Sequence, residues 1–119
     1  MIILLGVSIT VSGSPIAGES YTLKCSAGDS EAESFQWLGP PNGKTPVVES
    51  SPRLSIESST STSSQLQFRP VQQSDSGLYS CRATVDGSDL FTDIMNVSIN
   101  GTVYHYLYYS DVMILFYPY

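Results

Sequence analysis

Apolar and polar residues alternate in short runs along most of this chain. Val7, Ile9 and Val11 alternate with Ser8, Thr10 and Ser12, and a period of two marks a half-buried strand. "SYTLKCS" sets Tyr21, Leu23 and Cys25 on one face and Thr22 and Lys24 on the other. "SFQWLG" turns Phe35 and Trp37 inward, "RLSIES" aligns Leu54 with Ile56, and "QLQFRP" aligns Leu66 with Phe68. "LYSCRATV" puts Tyr79, Cys81, Ala83 and Val85 on one face. "LFTDIMNVSIN" closes the series as a single strand, with Met95, Val97 and Ile99 in phase and Asn96 pointing out. Asn42-Gly43, in the loop "GPPNGKTP", and Asp86-Gly87 suit hairpin turns, since both tolerate positive φ. "SSTSTSS" (58–64) reads as a loop between two strands. No stretch carries a helical period. The pattern predicts an all-β antiparallel sandwich over residues 6–100.

The two ends break the pattern. Residues 1–5 read as a lead-in or a truncated signal segment, because the apolar run is short and no basic residue precedes it. Residues 101–119 form an apolar, Tyr-rich tail. A membrane span needs about 17–25 apolar residues, and residues 103–119 stand at that lower limit. His105, Ser110 and Asp111 interrupt the run and no Lys or Arg follows it. A charge at mid-bilayer costs roughly 2.5–3.5 kcal/mol. The tail therefore reads as truncated or non-native in preference to a membrane span, with an extra edge strand as the third option.

Composition narrows the class. The 119 residues suffice for one domain. A hydrophobic content of 41% allows a packed core, and a charged content of 13% with abundant Ser and Thr suits a secreted or cell-surface β domain. The net charge is −6, and the basic residues Lys24, Lys44, Arg53, Arg69 and Arg82 are scattered. Nucleic-acid binding needs a basic stripe, which is missing. An anionic membrane surface is disfavoured on the same ground. Two cysteines, Cys25 and Cys81, fit one disulfide or two buried thiols. They are not spaced as zinc-ligand pairs, and His105 is the single histidine.

Cys25, Trp37 and the run Asp75-x-Gly77-x-Tyr79-x-Cys81 together resemble the signature of the immunoglobulin superfamily. The resemblance covers about residues 6–100. It implies a Greek-key sandwich whose two sheets are joined by a Cys25–Cys81 disulfide, with Trp37 packed on the bridge. Tyr79 matches the family's tyrosine corner, whose hydroxyl bonds back to nearby backbone. Gly77 permits the sharp approach to that strand. The family also pairs an arginine like Arg53 with the aspartate at Asp75. The cysteine spacing suggests an intermediate (I-set) or short V-like type, with a C′ strand and no full C″. Strand G lacks the Gly-x-Gly bulge of antibody variable domains, so antibody-type chain pairing is not implied.

Signals for chemistry are weak. "GPPNGKT" is one residue short of a phosphate-binding loop and "PVVES", not a helix, follows it. A Ser-His-Asp triad would have to use His105 in the tail, without a strand–elbow–helix setting. Asp86, Asp89 and Asp93 lack the ligand spacing of a calcium loop. No cofactor is indicated. Two sequons occur, Asn96-Val97-Ser98 and Asn100-Gly101-Thr102.

These features imply a non-catalytic extracellular recognition or adhesion module, a fragment of a larger receptor or adhesion protein. The alternative is a spacer in a receptor enzyme, such as a receptor kinase, whose catalytic domain lies outside this chain. A soluble domain that binds a small ligand is weaker, because a filled sandwich core leaves little pocket. A protein partner is expected, homophilic or heterophilic. Membrane attachment would run through a segment missing or incomplete here. In the family the B–C and F–G loops share one end of the sandwich. Here they carry Asp29, Glu31 and Glu33, and Asp86 and Asp89, without Lys or Arg. A glycan on Asn96 would obstruct part of the G-F-C face. The expected contact site is therefore this acidic tip, steering a basic partner or recruiting a divalent cation.

Overall fold

A strand with one apolar face must cover that face, and here two sheets cover each other. The computed structural model describes residues 6–49, 51–101, 105–109 and 112–116. The first sheet holds β1 (Ser8–Gly13), β2 (Tyr21–Ser26), β6 (Ser63–Phe68) and β5 (Leu54–Thr60), antiparallel in the order β1-β2-β6-β5. The second runs β4 (Thr45–Pro46), β3 (Ser34–Gly39), β7 (Gly77–Val85), β8 (Ser88–Phe91). β9 (Met95–Val97) also pairs with β7, further towards that strand's start. A short 3₁₀ turn, Gln73–Asp75, leads into β7. Near the N-terminus, Ile16 forms a parallel bridge with Asn100, so the segment after β1 reaches across to the second sheet's side.

The core follows the period-two phase. Tyr21, Leu23 and Cys25 of β2, Leu66 and Phe68 of β6, Trp37 of β3, Tyr79 and Cys81 of β7, and Val97 and Ile99 are all buried in one cluster. Burying side chains such as Leu23, Leu66 and Phe68 stabilises by about 2 kcal/mol each. Phe68 packs edge-on to Tyr79, with ring centroids 6.0 Å apart and an interplanar angle of 83°, an arrangement the ring quadrupoles favour. Phe35 is only half-buried, and Val11, on edge strand β1, is 41% exposed. An edge strand has a neighbour on one side only, which leaves its far end uncovered.

Three elements depart from the sequence expectation. Residues 58–64 were expected as a loop, yet β5 runs to Thr60 and β6 starts at Ser63. Hydroxyl side chains suit a pleated surface, and here Ser58 and Ser64 bond to each other at 3.1 Å. The last strand of the sandwich is not continuous. It breaks over Thr92–Ile94 into β8 and β9. There the Thr92 backbone N–H donates to the Cys81 carbonyl and the Cys81 N–H donates to Thr92 Oγ1, both at 2.9 Å, so a side chain replaces one ladder bond. Finally, β10 (His105–Tyr109) and β11 (Val112–Phe116) pair with each other as a separate two-stranded sheet and not with either sheet of the sandwich. No described helix is long and apolar enough to cross a membrane. The lead-in, residues 1–5, lies outside the described residues.

Candidate recognition surface

The frame around any surface site is fixed by a few side chains. Cys25 and Cys81 form a disulfide with a Cα–Cα distance of 6.3 Å. Trp37 stands opposite Cys81 in the β3–β7 register, and Ser64 opposite Cys25 in the β2–β6 register. The Trp37 indole N–H donates to Ser64 Oγ at 3.1 Å, so it bridges the sheets beside the disulfide. The Tyr79 hydroxyl donates to the Asp75 carbonyl at 2.5 Å, across the corner where the 3₁₀ turn meets β7. Burial pushes this phenol up to about 12, and the nearby Asp75 carboxylate adds to the rise, with Arg53 opposing it. Arg53 forks onto both Asp75 carboxylate oxygens, at 2.7 and 2.8 Å, and the bond to Asp75 raises the guanidinium above its ordinary value. The Gln72 N–H also donates to Asp75 at 2.7 Å, so this buried carboxylate is well supplied with donors.

Three of the five acids assigned to a tip meet around the β7–β8 turn. The Glu33 carboxylate accepts from the Gly87 N–H at 3.0 Å, and the Glu33 backbone N–H donates to the Thr84 carbonyl at 2.7 Å. Asp86 and Gly87 have φ of 50° and 75°, and the Val85–Ser88 pairing around them makes a two-residue hairpin. Asp89 accepts from the Thr84 hydroxyl at 2.8 Å. Glu33, Asp86 and Asp89 thus gather at one end of the second sheet. Asp29 and Glu31 precede Glu33 on the β2–β3 loop. That loop is tied to the β5–β6 turn by Ala27 to Thr62 and Ala32 to Ser61 backbone bonds. Among the described residues no group of three or more His, Cys, Asp or Glu is placed to hold a metal ion.

Sequence reasoning missed the outer face of the second sheet. Inward Trp37 forces Leu38 outward, and inward Cys81 forces Ser80 and Arg82 outward. Gln36, Leu38, Lys44, Pro46, Arg82, Phe91 and Ile94 line an open groove of about 560 Å³ on this face. Phe91 is 60% exposed and Ile94 47%. The Ser80 hydroxyl donates to the Gly43 carbonyl at 2.6 Å, which pins the β3–β4 loop to the floor. Arg82 donates to Gln36 at 3.4 Å. The available signal was phase. Phe91 and Ile94 are large apolar residues on the side that the strand alternation leaves in water, and Leu38, on the same side, is buried.

Both sequon asparagines are exposed. Asn96 faces out from β9 opposite Leu78, two residues from groove-lining Ile94 and at the end of the face remote from the β7–β8 turn. Asn100 is held by backbone bonds to Pro15 and Ala17.

The arrangement of two sheets, disulfide, tryptophan and tyrosine corner defines the class, and comparison with known proteins agrees. A model of the immunoglobulin domain family matches residues 8–84, more than half of the chain, and the chain belongs to that family. Among solved structures, the Dscam1 Ig7 domain, isoform 5, is 18% identical with a TM-score of 0.58, covering 80% of this chain and 99% of that one. A chain from a structural study of T cell specificity and activation by the bacterial superantigen toxic shock syndrome toxin-1 is 18% identical with a TM-score of 0.57, covering 76% and 98%. Identities this low show a shared fold. No curated protein matches.

Proposed function

We propose that this immunoglobulin domain is a non-catalytic, extracellular recognition module that binds a protein partner through the outer face of β3, β4, β7 and β8. The observation that carries the reading is the groove. Monomeric domains rarely leave large apolar side chains clustered on a rigid sheet, and where they do, a partner covers them. The acidic cluster of Glu33, Asp86 and Asp89 belongs to this same face and supplies steering, while the groove supplies burial. A disulfide across the core favours an oxidising compartment, and two exposed sequons suit the same location. We propose Asn96 and Asn100 as its glycan acceptors.

The test uses the secreted chain, biotinylated and assembled on fluorescent streptavidin, to stain cells that display the domain and cells that lack it. Phe91→Ser/Ile94→Ser changes two exposed side chains and leaves the core intact. Staining of either cell type should fall about tenfold while the circular dichroism spectrum is unchanged. Staining by the variant equal to that of the parent overturns the assignment of this face.

A further inference from the structure

Charge is not spread evenly along the face just described. At the end near the β7–β8 turn stand Glu33, Asp86 and Asp89, and neither loop there contains Lys or Arg. The next outward position on β7 after Thr84 is Arg82, which lines the groove. Same-face positions on a strand are about 6.6 Å apart. Lys44 lines the groove from the β3–β4 loop, beyond the far end of β3. Of five basic residues in a chain of net charge −6, two are in this groove, and Arg53 is committed to Asp75. Asp93 lines an adjoining groove with Val7, Ser8 and Ile9, towards the β1 edge, which shares Thr92 and Ile94 with the first. The face is thus acidic at one end and cationic from its middle to the other end, with Leu38, Pro46, Phe91 and Ile94 between.

Resting on the reading of this face as the recognition surface, we infer that its occupant is a second copy of this chain, docked face to face and turned end for end. A two-fold axis lying between the two faces, parallel to the sheets and across their strands, maps the acidic end of one copy onto the cationic groove of the other, and does so twice. Each copy's Asp86 and Asp89 then meet its partner's Arg82 and Lys44, and Phe91 and Ile94 are covered on both. A face-to-face arrangement in parallel would set acid on acid and cation on cation, at a cost of several kcal/mol. A strongly acidic partner would meet the repulsion of Glu33, Asp86 and Asp89. A strongly basic one would meet Arg82 and Lys44. A surface with the complementary ordering is one the domain already owns.

The experiment is a charge swap on the full 119-residue chain, in an Asn96→Gln background so that no glycan stands at the foot of the face. Sedimentation velocity over a concentration series reads the association. One variant carries Lys44→Glu/Arg82→Glu and the other Asp86→Lys/Asp89→Lys. Each alone places like charges together at both contacts and should associate at least about tenfold more weakly than the parent. Mixed one to one, both contacts are again opposite in sign, and association should return to within about threefold of the parent. A parent that stays monomeric at every concentration overturns the second copy as occupant. It leaves the face itself open to another protein, which the staining of cells lacking the domain reads separately. A parent that self-associates while both variants do so equally well also overturns the inference, because the contact then lies off this face.

Discussion

Tyr79 shows how much one side chain can carry. Its ring packs on Phe68 in the core, and its hydroxyl closes the corner onto the Asp75 carbonyl. Because burial and the Asp75 charge oppose phenolate formation, the folded group titrates at about 12, against about 10 in an unfolded chain. Between these values the unfolded state has released a proton that the folded state keeps. Stability from this group is therefore complete below pH 10 and lost as pH rises towards 12, by about 2–3 kcal/mol. Tyr21, also raised by burial, acts in the same direction. Denaturant unfolding at pH 9 and pH 11 should show a smaller fall for Tyr79→Phe than for the parent, and equal falls would exclude this phenol as the source. At neutral pH Tyr79→Phe should cost about 1 kcal/mol, the net worth of a buried hydrogen bond.

At the scale of elements, the turns decide where strands can start. β7 begins at Gly77, whose φ is +151°. A Cβ there would stand 2.6 Å from Pro40 Cγ, on the β3–β4 connection. The glycine therefore lets two segments of the second sheet approach closely. Gly77→Ala should lower stability by about 2 kcal/mol, from backbone strain and overpacking together. Gly87→Ala is the comparison, because its φ is +75° and nothing lies within 4 Å of the added Cβ. It should cost about 1 kcal/mol, by backbone strain alone. Urea midpoints read both, and equal losses would show that the Pro40 contact adds nothing. The break over Thr92–Ile94 is a second such device. It ends the pairing of β8 and releases Ile94 to the outer face.

For the whole molecule, the Cys25–Cys81 disulfide spans 56 residues and joins β2 of one sheet to β7 of the other. Constraining the unfolded chain over such a loop stabilises by about 4 kcal/mol on a chain-entropy estimate, a large part of the roughly 5–15 kcal/mol net stability of a small domain. Cys25→Ala/Cys81→Ala should shift the thermal midpoint down by more than 10 °C at this size. A midpoint within a few degrees of the parent would place the stability in the core packing instead.

The inward phase of the central strands was legible in the sequence, because strand side chains alternate and water selects one phase, whereas Val11, Phe35 and Leu38 depart from it. Leu23, Cys25, Leu66, Phe68, Tyr79, Cys81, Val97 and Ile99 are buried as that phase requires. The spacing of Cys25, Trp37, Asp75, Gly77, Tyr79 and Cys81 likewise carried the family, since each residue serves a local geometric need. The extent of β5 and β6 was less legible, because Ser and Thr suit strands and turns alike and only cross-strand pairing chooses between them. The groove was decided by the tertiary structure alone. Its lining comes from Gln36 to Ile94, segments far apart in sequence that meet only when β3, β4, β7 and β8 are laid side by side. Alternation puts Leu38 and Phe91 on the outer side, and pairing register brings them to one face, where Leu38 is buried and Phe91 stays exposed.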